Sequence, residues 1–366
     1  MGSFTIYCAG CAGPFTRPSL GSTSQRALAR RARRIQRTLN PGHYDGEVDE
    51  DGTEEEEGEK ASQTTDEDDS EIDEDWSYNP EILTEDHFNW LEYLICLGFN
   101  ERAFISGPGE YIEQGRITAV QGDDSNCPEG ENSFSCYTDG GTPAVFPFHP
   151  ECFDILTMVI TGSRDAGLLD KDTLYRALVG ISEGRYLDVD YGPISGNAQF
   201  WESIPGEEFS VRDPLDIPDM KEFLHDELLS NSFKVATSNL DFQRKVVKDP
   251  LSALPYDILH LISCYLPGAA VLSLMTASLP VFMATSRHNG FWKLRIQRDM
   301  PWFWELRELI TQCDYPDLDF KGLYLWLDKM TTPRFGIEDM LTGIANRRRI
   351  WGVCEKIRDL YCSGRY

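Results

Sequence analysis

Residues 254–266 read LPYDILHLISCYL, and this stretch sets the class of the C-terminal half of the chain. Pro255 stands where the first turn of a helix tolerates proline, and Pro267-Gly268 follows where a helix would end. At about 100° per residue, the apolar side chains of this helix cover an arc of roughly 160°. A stripe this wide is typical of a central core helix, or of a helix that packs on its own core and on a partner at once.

The residues after this helix favour the second interpretation. A short turn leads to Leu272, Leu274 and Val281, and the series closes on Phe291-Trp292-Lys293-Leu294. The whole series resembles the F-box, in which a Leu-Pro opening, three short helices and a closing Trp form the surface held by a Skp-type adaptor. The resemblance implies an adaptor-facing set with two supporting residues: Leu254, Pro255, Ile258, Leu259 and Ile262, supported by Leu266 and Leu272.

One residue departs from the F-box pattern. Pro280 falls where F-boxes usually continue a helix, and proline in a helix interior removes a hydrogen bond and clashes with the preceding turn. Either the third helix starts at this proline or this part packs differently. The first helix of the series is unaffected.

The resemblance extends to a family of fungal F-box proteins of uncharacterised role, which carry an N-terminal CxxC/HxxC region. The matching stretches are YCAGCAGPF (7–15), FISGPGEY (104–111), FPFHPECFDIL (146–156) and residues 324–357, with LWLDKMTTPRFG and ANRRRIW. The resemblance implies a substrate-receptor subunit of a Skp-cullin-F-box ubiquitin ligase. Its partners would be a Skp-type adaptor, a cullin ligase reached through that adaptor, and an unknown protein substrate, and no catalytic residue is expected.

Two short cysteine motifs indicate a metal site. Cys8 and Cys11 have knuckle spacing, and His149 and Cys152 form a second pair. Three thiolates and one imidazole make a closed tetrahedral set, which is typical of structural zinc. Three alternatives stay open: these are simply buried core residues, Cys136 or Cys127 replaces one ligand, or Cys152 is a nucleophile paired with His149, although no third group to orient the base is evident.

The charge of the chain is concentrated in one region. The formal net charge is -27, and residues 45–75 hold 18 Asp and Glu against one Lys, whereas residues 1–44 hold seven Arg and no acid. A segment of this composition buries little apolar surface, so we predict that residues 17–75 form a disordered insert. Within it, Leu28, Ala32, Ile35 and Leu39 have helical spacing. They predict a basic amphipathic helix over 25–39, solvated and loosely paired with the acidic run, with a nuclear import signal as the second interpretation.

The fold class expected from these patterns is multidomain: a small α+β N-terminal domain interrupted by a disordered charged insert, then an all-α F-box and a helical C-terminal region. Before the F-box, the patterns predict a helix from Thr84 to Gly98, a hairpin with its turn at Gln114-Gly115, and a strand at 144–148 that leads into a helix at Pro150. The predicted boundaries are 1–16 for the CxxC strand, 17–75 for the insert, 76–235 for the α+β domain, 249–298 for the F-box and 299–366 for the helical region.

Several functional classes are disfavoured. The most apolar stretch, 268–284, is too short and too interrupted to span a bilayer, and the first residues have no secretion-signal pattern. Ten cysteines over 366 residues predict a reducing compartment, hence the cytoplasm, the nucleus or both. We expect no membrane and no nucleic-acid partner.

Two other functions remain as alternatives. One is a zinc-stabilised protein-interaction scaffold, in the nucleus, that acts outside ubiquitin ligation. The other is an enzyme within the N-terminal domain, against which stands the lack of a clear nucleophile, base or phosphate loop. The arginine run 347–349 suits phosphate binding or the start of an amphipathic closing helix, and the aromatic run 302–304 suits a ligand groove or a core. We favour the helix and the core.

Overall fold

A computed structural model of the protein describes residues 6–41, 77–113, 115–137, 143–184, 186–195, 201–234, 249–286, 288–313, 315, 317–337 and 340–364. These residues form two compact units. Unit 1 takes in the chain up to Asp216 together with the chain from Pro333 onward, and unit 2 is Ile217–Thr332. The fold is a mixture of helices and small sheets, as expected for the α+β class.

The elements follow one another along the chain in this order. The strands are β1 (Ile95–Asn100), β2 (Arg102–Ile105), β3 (Gly109–Glu113), β4 (Arg116–Val120), β5 (Glu131–Ser135) and β6 (Phe146–Phe148). The α-helices are α1 (Gln25–Leu39), α2 (Pro150–Thr161), α3 (Lys171–Gly180), α4 (Met220–Leu229), α5 (Tyr256–Tyr265), α6 (Gly268–Ala277), α7 (Leu279–Thr285), α8 (Asn289–Asp299), α9 (Trp304–Gln312), α10 (Phe320–Thr331) and α11 (Thr342–Ser363).

The described residues of unit 1 form two antiparallel three-stranded sheets. Their strand orders are β2-β1-β6 and β3-β4-β5, and the second includes the predicted hairpin. The helix expected from Thr84 to Gly98 is wrong in its second half: a 3-10 helix spans Glu85–Glu92, and the chain then enters β1. Leu97 pairs with Phe146 on one side and Ile105 on the other, and it is fully buried. Pairing on both sides therefore outweighs the local helical pattern.

Two helices from distant parts of the chain pack together in unit 1. The first, α2, begins with Pro150 in its first turn and ends at Gly162, whose φ of 78° is left-handed. It packs against α11, whose Ile350, Cys354 and Ile357 are fully buried. The predicted helical region 299–366 is therefore divided: α11 belongs to unit 1, whereas α9 and α10 belong to unit 2.

The basic helix α1 occupies the predicted span, but it is packed rather than solvated. Ser24 caps it by accepting from the Ala27 N–H, and Ala27, Arg31 and Ile35 are buried. This corrects the prediction of a disordered insert for residues 17–41, because the buried side is supplied by two small or aliphatic residues and one arginine, a stripe too sparse to predict packing. The rest of the predicted insert, including its acidic run, lies outside the described residues.

Unit 2 is helical throughout its described residues. Its core includes Trp292, which is 1% exposed and donates from Nε1 to the carbonyl oxygen of Thr285 at 2.9 Å. A new helix, α7, begins after Ser278, which accepts from the Val281 N–H, and Pro280 lies in its first turn. Of the two possibilities for this proline, the structure has the one in which a helix starts there. No described helix of either unit combines the length and the apolar character needed to cross a membrane.

Candidate functional site

The side chains of the two cysteine motifs meet in unit 1. Each is at most 1% exposed, and their ligand atoms lie within 4.8 Å of one another; they are Cys8, Cys11, His149 and Cys152. The Nδ1 atom of His149 is 3.4 Å from Cys11 Sγ and 4.0 Å from Cys152 Sγ. A tetrahedral zinc ion with bonds of about 2.0 to 2.3 Å places its ligand atoms roughly 3.5 to 3.8 Å apart. The four side chains therefore fit one metal ion with small adjustments.

The N-terminal pair sits on a tight turn that we call the knuckle, residues 7–14. The Gly10 N–H donates to Cys8 Sγ at 3.4 Å, and the Gly13 N–H donates to Cys11 Sγ at 3.2 Å. An added Cβ at Gly10 would lie 2.9 Å from Cys152 Cβ, and one at Gly13 would lie 3.1 Å from Cys11 Sγ. Both positions therefore need glycine, and their N–H groups stabilise negative charge on the sulfurs.

The second pair lies where β6 ends and α2 begins. His149 is the N-cap of α2, and Cys152 is the third residue of the helix. The N-terminus of a helix carries partial positive charge, which favours a thiolate at Cys152. The His149 backbone N–H also donates to Cys8 Sγ at 3.3 Å, so the two motifs are joined directly.

The imidazole of His149 is held in the orientation that a metal ligand needs. Its Nε2 lies 3.1 Å from the Pro14 carbonyl oxygen, so the ring proton belongs on Nε2 and Nδ1 is left to bind. The rings of Phe15 and Trp90 flank the imidazole at centroid distances of 4.6 and 4.8 Å. These contacts help to bury the imidazole, which is fully inaccessible to solvent.

The metal-free cluster shares its protons unevenly. Burial opposes ionisation of Cys11, but hydrogen bonds with Cys152 and Cys8 and the charge of His149 outweigh it and lower the pKa of Cys11 well below its ordinary value. Burial also opposes a charged His149, yet the sulfurs of Cys8 and Cys11 raise the pKa of the imidazole well above its ordinary value. Burial, with the neighbouring sulfurs, raises the pKa of Cys152. A bound metal ion would displace these protons.

Three side chains from elsewhere in unit 1 hold the backbone of the knuckle. Each donates a hydrogen bond to one of its carbonyl oxygens: Tyr137 Oη to Tyr7 at 2.6 Å, Tyr191 Oη to Ala9 at 3.3 Å, and Arg349 Nη1 to Cys11 at 2.8 Å. The sequence motifs did not identify any of these donors. No local signal marks them, because 130 or more residues separate each donor from its acceptor.

This donor set matches a structural metal site rather than a catalytic one. Three thiolates and an imidazole fill a tetrahedral coordination shell and leave no position for a substrate. Among the described residues, the group able to hold a metal ion consists of these four, so neither Cys136 nor Cys127 is part of it. The buried setting also leaves no access for a substrate to a Cys152 nucleophile.

The second candidate site is one side of α5, in unit 2. Ile258, Leu261, Ile262 and Tyr265 are 42%, 50%, 37% and 76% exposed, and we call these four residues the docking face. The opposite side of the helix is buried through Leu259 and Ser263. Contiguous exposed apolar side chains on a helix are typical of a surface that packs against a partner.

The other residues of the predicted adaptor surface are placed unevenly. Pro255 is exposed, and Leu254, Leu266 and Leu272 are partly buried. Leu259 is only 4% exposed, so it belongs to the core of unit 2 and corrects the predicted partner-facing set. The cause is the helical period: at about 100° per residue, Leu259 is turned away from Ile258 toward the side of the helix that also carries the buried Ser263.

Most of the arginine run and of the aromatic run is buried, whereas Arg348 and Trp304 are partly exposed. Arg347 is fully buried, and its Nε donates to the Pro214 carbonyl oxygen, so it offers no surface for phosphate. Trp302 and Phe303 are buried as well, which agrees with the core interpretation. The sequence predicts the closing helix that carries Arg349, but it does not predict the hydrogen bond from Arg349 to the Cys11 carbonyl oxygen.

Comparison with known proteins finds no matching family, no similar curated protein and no similar solved structure. The functional argument therefore rests on the geometry of the metal cluster and of the docking face.

Proposed function

We propose that the protein is an F-box-type substrate receptor, which binds a Skp-type adaptor through the docking face and presents a protein target to a cullin ubiquitin ligase. The observation that carries the proposal is the exposure of Ile258 and Ile262 on a helix whose other side is buried. Burying such a side chain in a partner groove stabilises a complex by roughly 1.5 to 3 kcal/mol. Two of them, one turn apart, form the centre of an interface.

The receptor works by proximity rather than by chemistry of its own side chains. Holding a target beside a ubiquitin-charged enzyme raises the effective concentration of the reacting groups, and the other subunits supply the chemistry. The proposed compartments are the cytoplasm and the nucleus. Unit 1 is the larger part of the described chain and would carry the target-binding surface.

A pull-down with purified Skp-type adaptor tests the proposal. We expect the wild-type chain to retain the adaptor and Ile258→Asp or Ile262→Asp to lose it, because a charge cannot enter an apolar groove. Val179→Asp is the matched control, since Val179 is an exposed aliphatic residue on α3 in unit 1. Adaptor binding that survives both α5 substitutions would refute the assignment, as would a wild-type chain that binds no adaptor.

We further propose that the metal at Cys8, Cys11, His149 and Cys152 is zinc and that its role is structural. Thiolate and imidazole donors select zinc over the hard cations magnesium and calcium. The site would join the knuckle to the start of α2. Elemental analysis of protein purified without chelators should find one zinc per chain, and a metal-free preparation that is fully folded would contradict this.

A further inference from the structure

The guanidinium of Arg349 reaches the metal cluster from the C-terminal helix. Its Nη1 donates to the Cys11 carbonyl oxygen at 2.8 Å and to the Tyr191 carbonyl oxygen at 3.2 Å. The residue is only 5% exposed, although it lies 338 residues from Cys11 in sequence. Through Arg349, α11 therefore makes a direct hydrogen bond to Cys11, a residue of the proposed metal site.

Neighbouring residues fix both the guanidinium and the aliphatic stem of Arg349. Its Nε and Nη2 donate to Asn346 Oδ1 at 3.1 and 2.8 Å, and Asn346 in turn donates from Nδ2 to the Arg212 carbonyl oxygen at 2.7 Å. Its aliphatic stem passes close to Gly192, where an added Cβ would lie 3.1 Å from Arg349 Cγ. The arginine is therefore held in one orientation, with its charge directed at the knuckle.

The positive charge of Arg349 is buried, and a nearby negative charge would stabilise it. The hydrogen-bond acceptors that the described residues give Arg349 are two carbonyl oxygens and an amide oxygen, all neutral. A buried cation with only neutral acceptors is strongly destabilising. A divalent ion held by three thiolates and a neutral imidazole would give a centre of net charge -1, and Arg349 donates to the backbone of Cys11, one of the residues that would hold it.

We infer that Arg349 is the buried counter-charge and the positioning residue of the metal centre, so that a loaded site depends on the docking of α11. The inference rests on the metal site proposed above. Residues that orient a metal ligand without binding the ion typically contribute about 10- to 100-fold to metal affinity. The complete centre then draws on three distant parts of the chain: the knuckle, the start of α2 and α11.

The inference is tested on the full chain by measuring zinc affinity in competition with a chromophoric chelator, and by recording the cobalt(II) spectrum, which reports the number of thiolate ligands. Arg349→Met should lower zinc affinity about 10- to 100-fold while keeping the three-thiolate spectrum. Arg349→Lys keeps the charge and should recover part of the affinity. Arg347→Met is the control, because Arg347 is another buried arginine of α11 and donates to the carbonyl oxygens of Pro214 and Leu215, which lie outside the knuckle.

The outcomes separate the two levels of the proposal. Equal zinc affinity in Arg349→Met and Arg347→Met would overturn the inference, whether both fall or neither does. Equal losses in the Met and Lys variants would remove the counter-charge role and leave positioning alone. If Arg349→Met does not fold, Arg349→Lys and Asn346→Ala carry the same test. A wild-type chain that binds neither zinc nor cobalt would refute the metal site itself.

Discussion

Ile258 and Leu259 are consecutive residues of α5, yet the first is 42% exposed and the second 4% exposed. The pair separates two roles that the sequence pattern combines in one wide apolar stripe. One side of the helix stabilises unit 2, and the other side carries the proposed docking face. Substitutions at the two positions should therefore act on different measurements.

Leu259→Ala should destabilise unit 2, whereas Ile258→Ala should not. Removing a buried leucine side chain leaves a cavity and costs about 2 to 5 kcal/mol, while a change at an exposed position usually stays within about 0.5 kcal/mol. Denaturant unfolding measures the first effect, and adaptor affinity measures the second. The opposite ranking, with Ile258→Ala the more destabilising, would mean that the docking face is part of the core.

Arg295 should hold α5 in place. Its Nη1 donates to the Leu266 carbonyl oxygen at 2.7 Å, and its Nη2 lies 2.6 Å from Asp299 Oδ2, in an ion pair whose N–H direction falls short of a hydrogen bond. Asp299 is 18% exposed and also accepts from Tyr324 Oη, so removing Arg295 should cost less than the roughly 3 to 5 kcal/mol of a fully buried pair. Arg295→Met should therefore lower the stability of unit 2 and weaken adaptor binding. Arg298 is an exposed residue of α8, the helix that also carries Arg295, and Arg298→Met should change neither quantity.

Loss of the metal should unfold unit 1 or loosen it substantially. Structural zinc contributes an apparent binding free energy of about 10 to 16 kcal/mol in small zinc domains, and that energy also stabilises the fold. Chelation, Cys8→Ser and His149→Ala should each release the ion and lower the thermal midpoint of unit 1. Cys136→Ser is the control, because Cys136 is also fully buried but lies outside the cluster. A midpoint insensitive to chelation would exclude a structural role.

The four residues of the candidate metal cluster could be predicted because their chemistry is visible in short motifs. Cys8 with Cys11 and His149 with Cys152 each carry ligand spacing within four residues, so the two halves can be matched without knowing the fold. The contact of Arg349 with Cys11 is different. It follows from the packing of α11 on α2, which no local pattern near either residue reveals.

Local patterns predicted elements well where they agreed with packing and failed where packing overruled them. The span of α1 follows from its helical spacing, but the expected stripe through Ala32 is displaced, because Ala32 is exposed and Ala27 is buried instead. Ile95 fits a helical run, yet it lies in β1, where it pairs with Phe148. In both cases the deciding partner is distant in sequence.

Because α1 is packed, its deletion should lower the thermal stability of unit 1, whereas deletion of a solvated linker would leave that stability unchanged. Ile35 is 6% exposed and packs near Gly336, whose φ is 74°. A Cβ added at Gly336 would lie 3.5 Å from Ile35 Cγ2 and 3.1 Å from Leu39 Cδ1. The helix thus covers apolar surface of unit 1 near Gly336. Deleting residues 20–72 removes this contact together with the acidic run, so the thermal midpoint of unit 1 should fall.

Point substitutions assign that loss to α1 itself. Ile35→Ala should cost about 2 kcal/mol, at the lower end of the range for a buried aliphatic side chain, because the helix packs through one side only. Ala32→Ser, at an exposed position one turn away, should stay within about 0.5 kcal/mol. Thermal unfolding of the two variants beside the deletion decides the matter. If Ile35→Ala unfolds at the wild-type midpoint, α1 contributes nothing to the stability of unit 1, and the segment behaves as the solvated helix that its composition predicts.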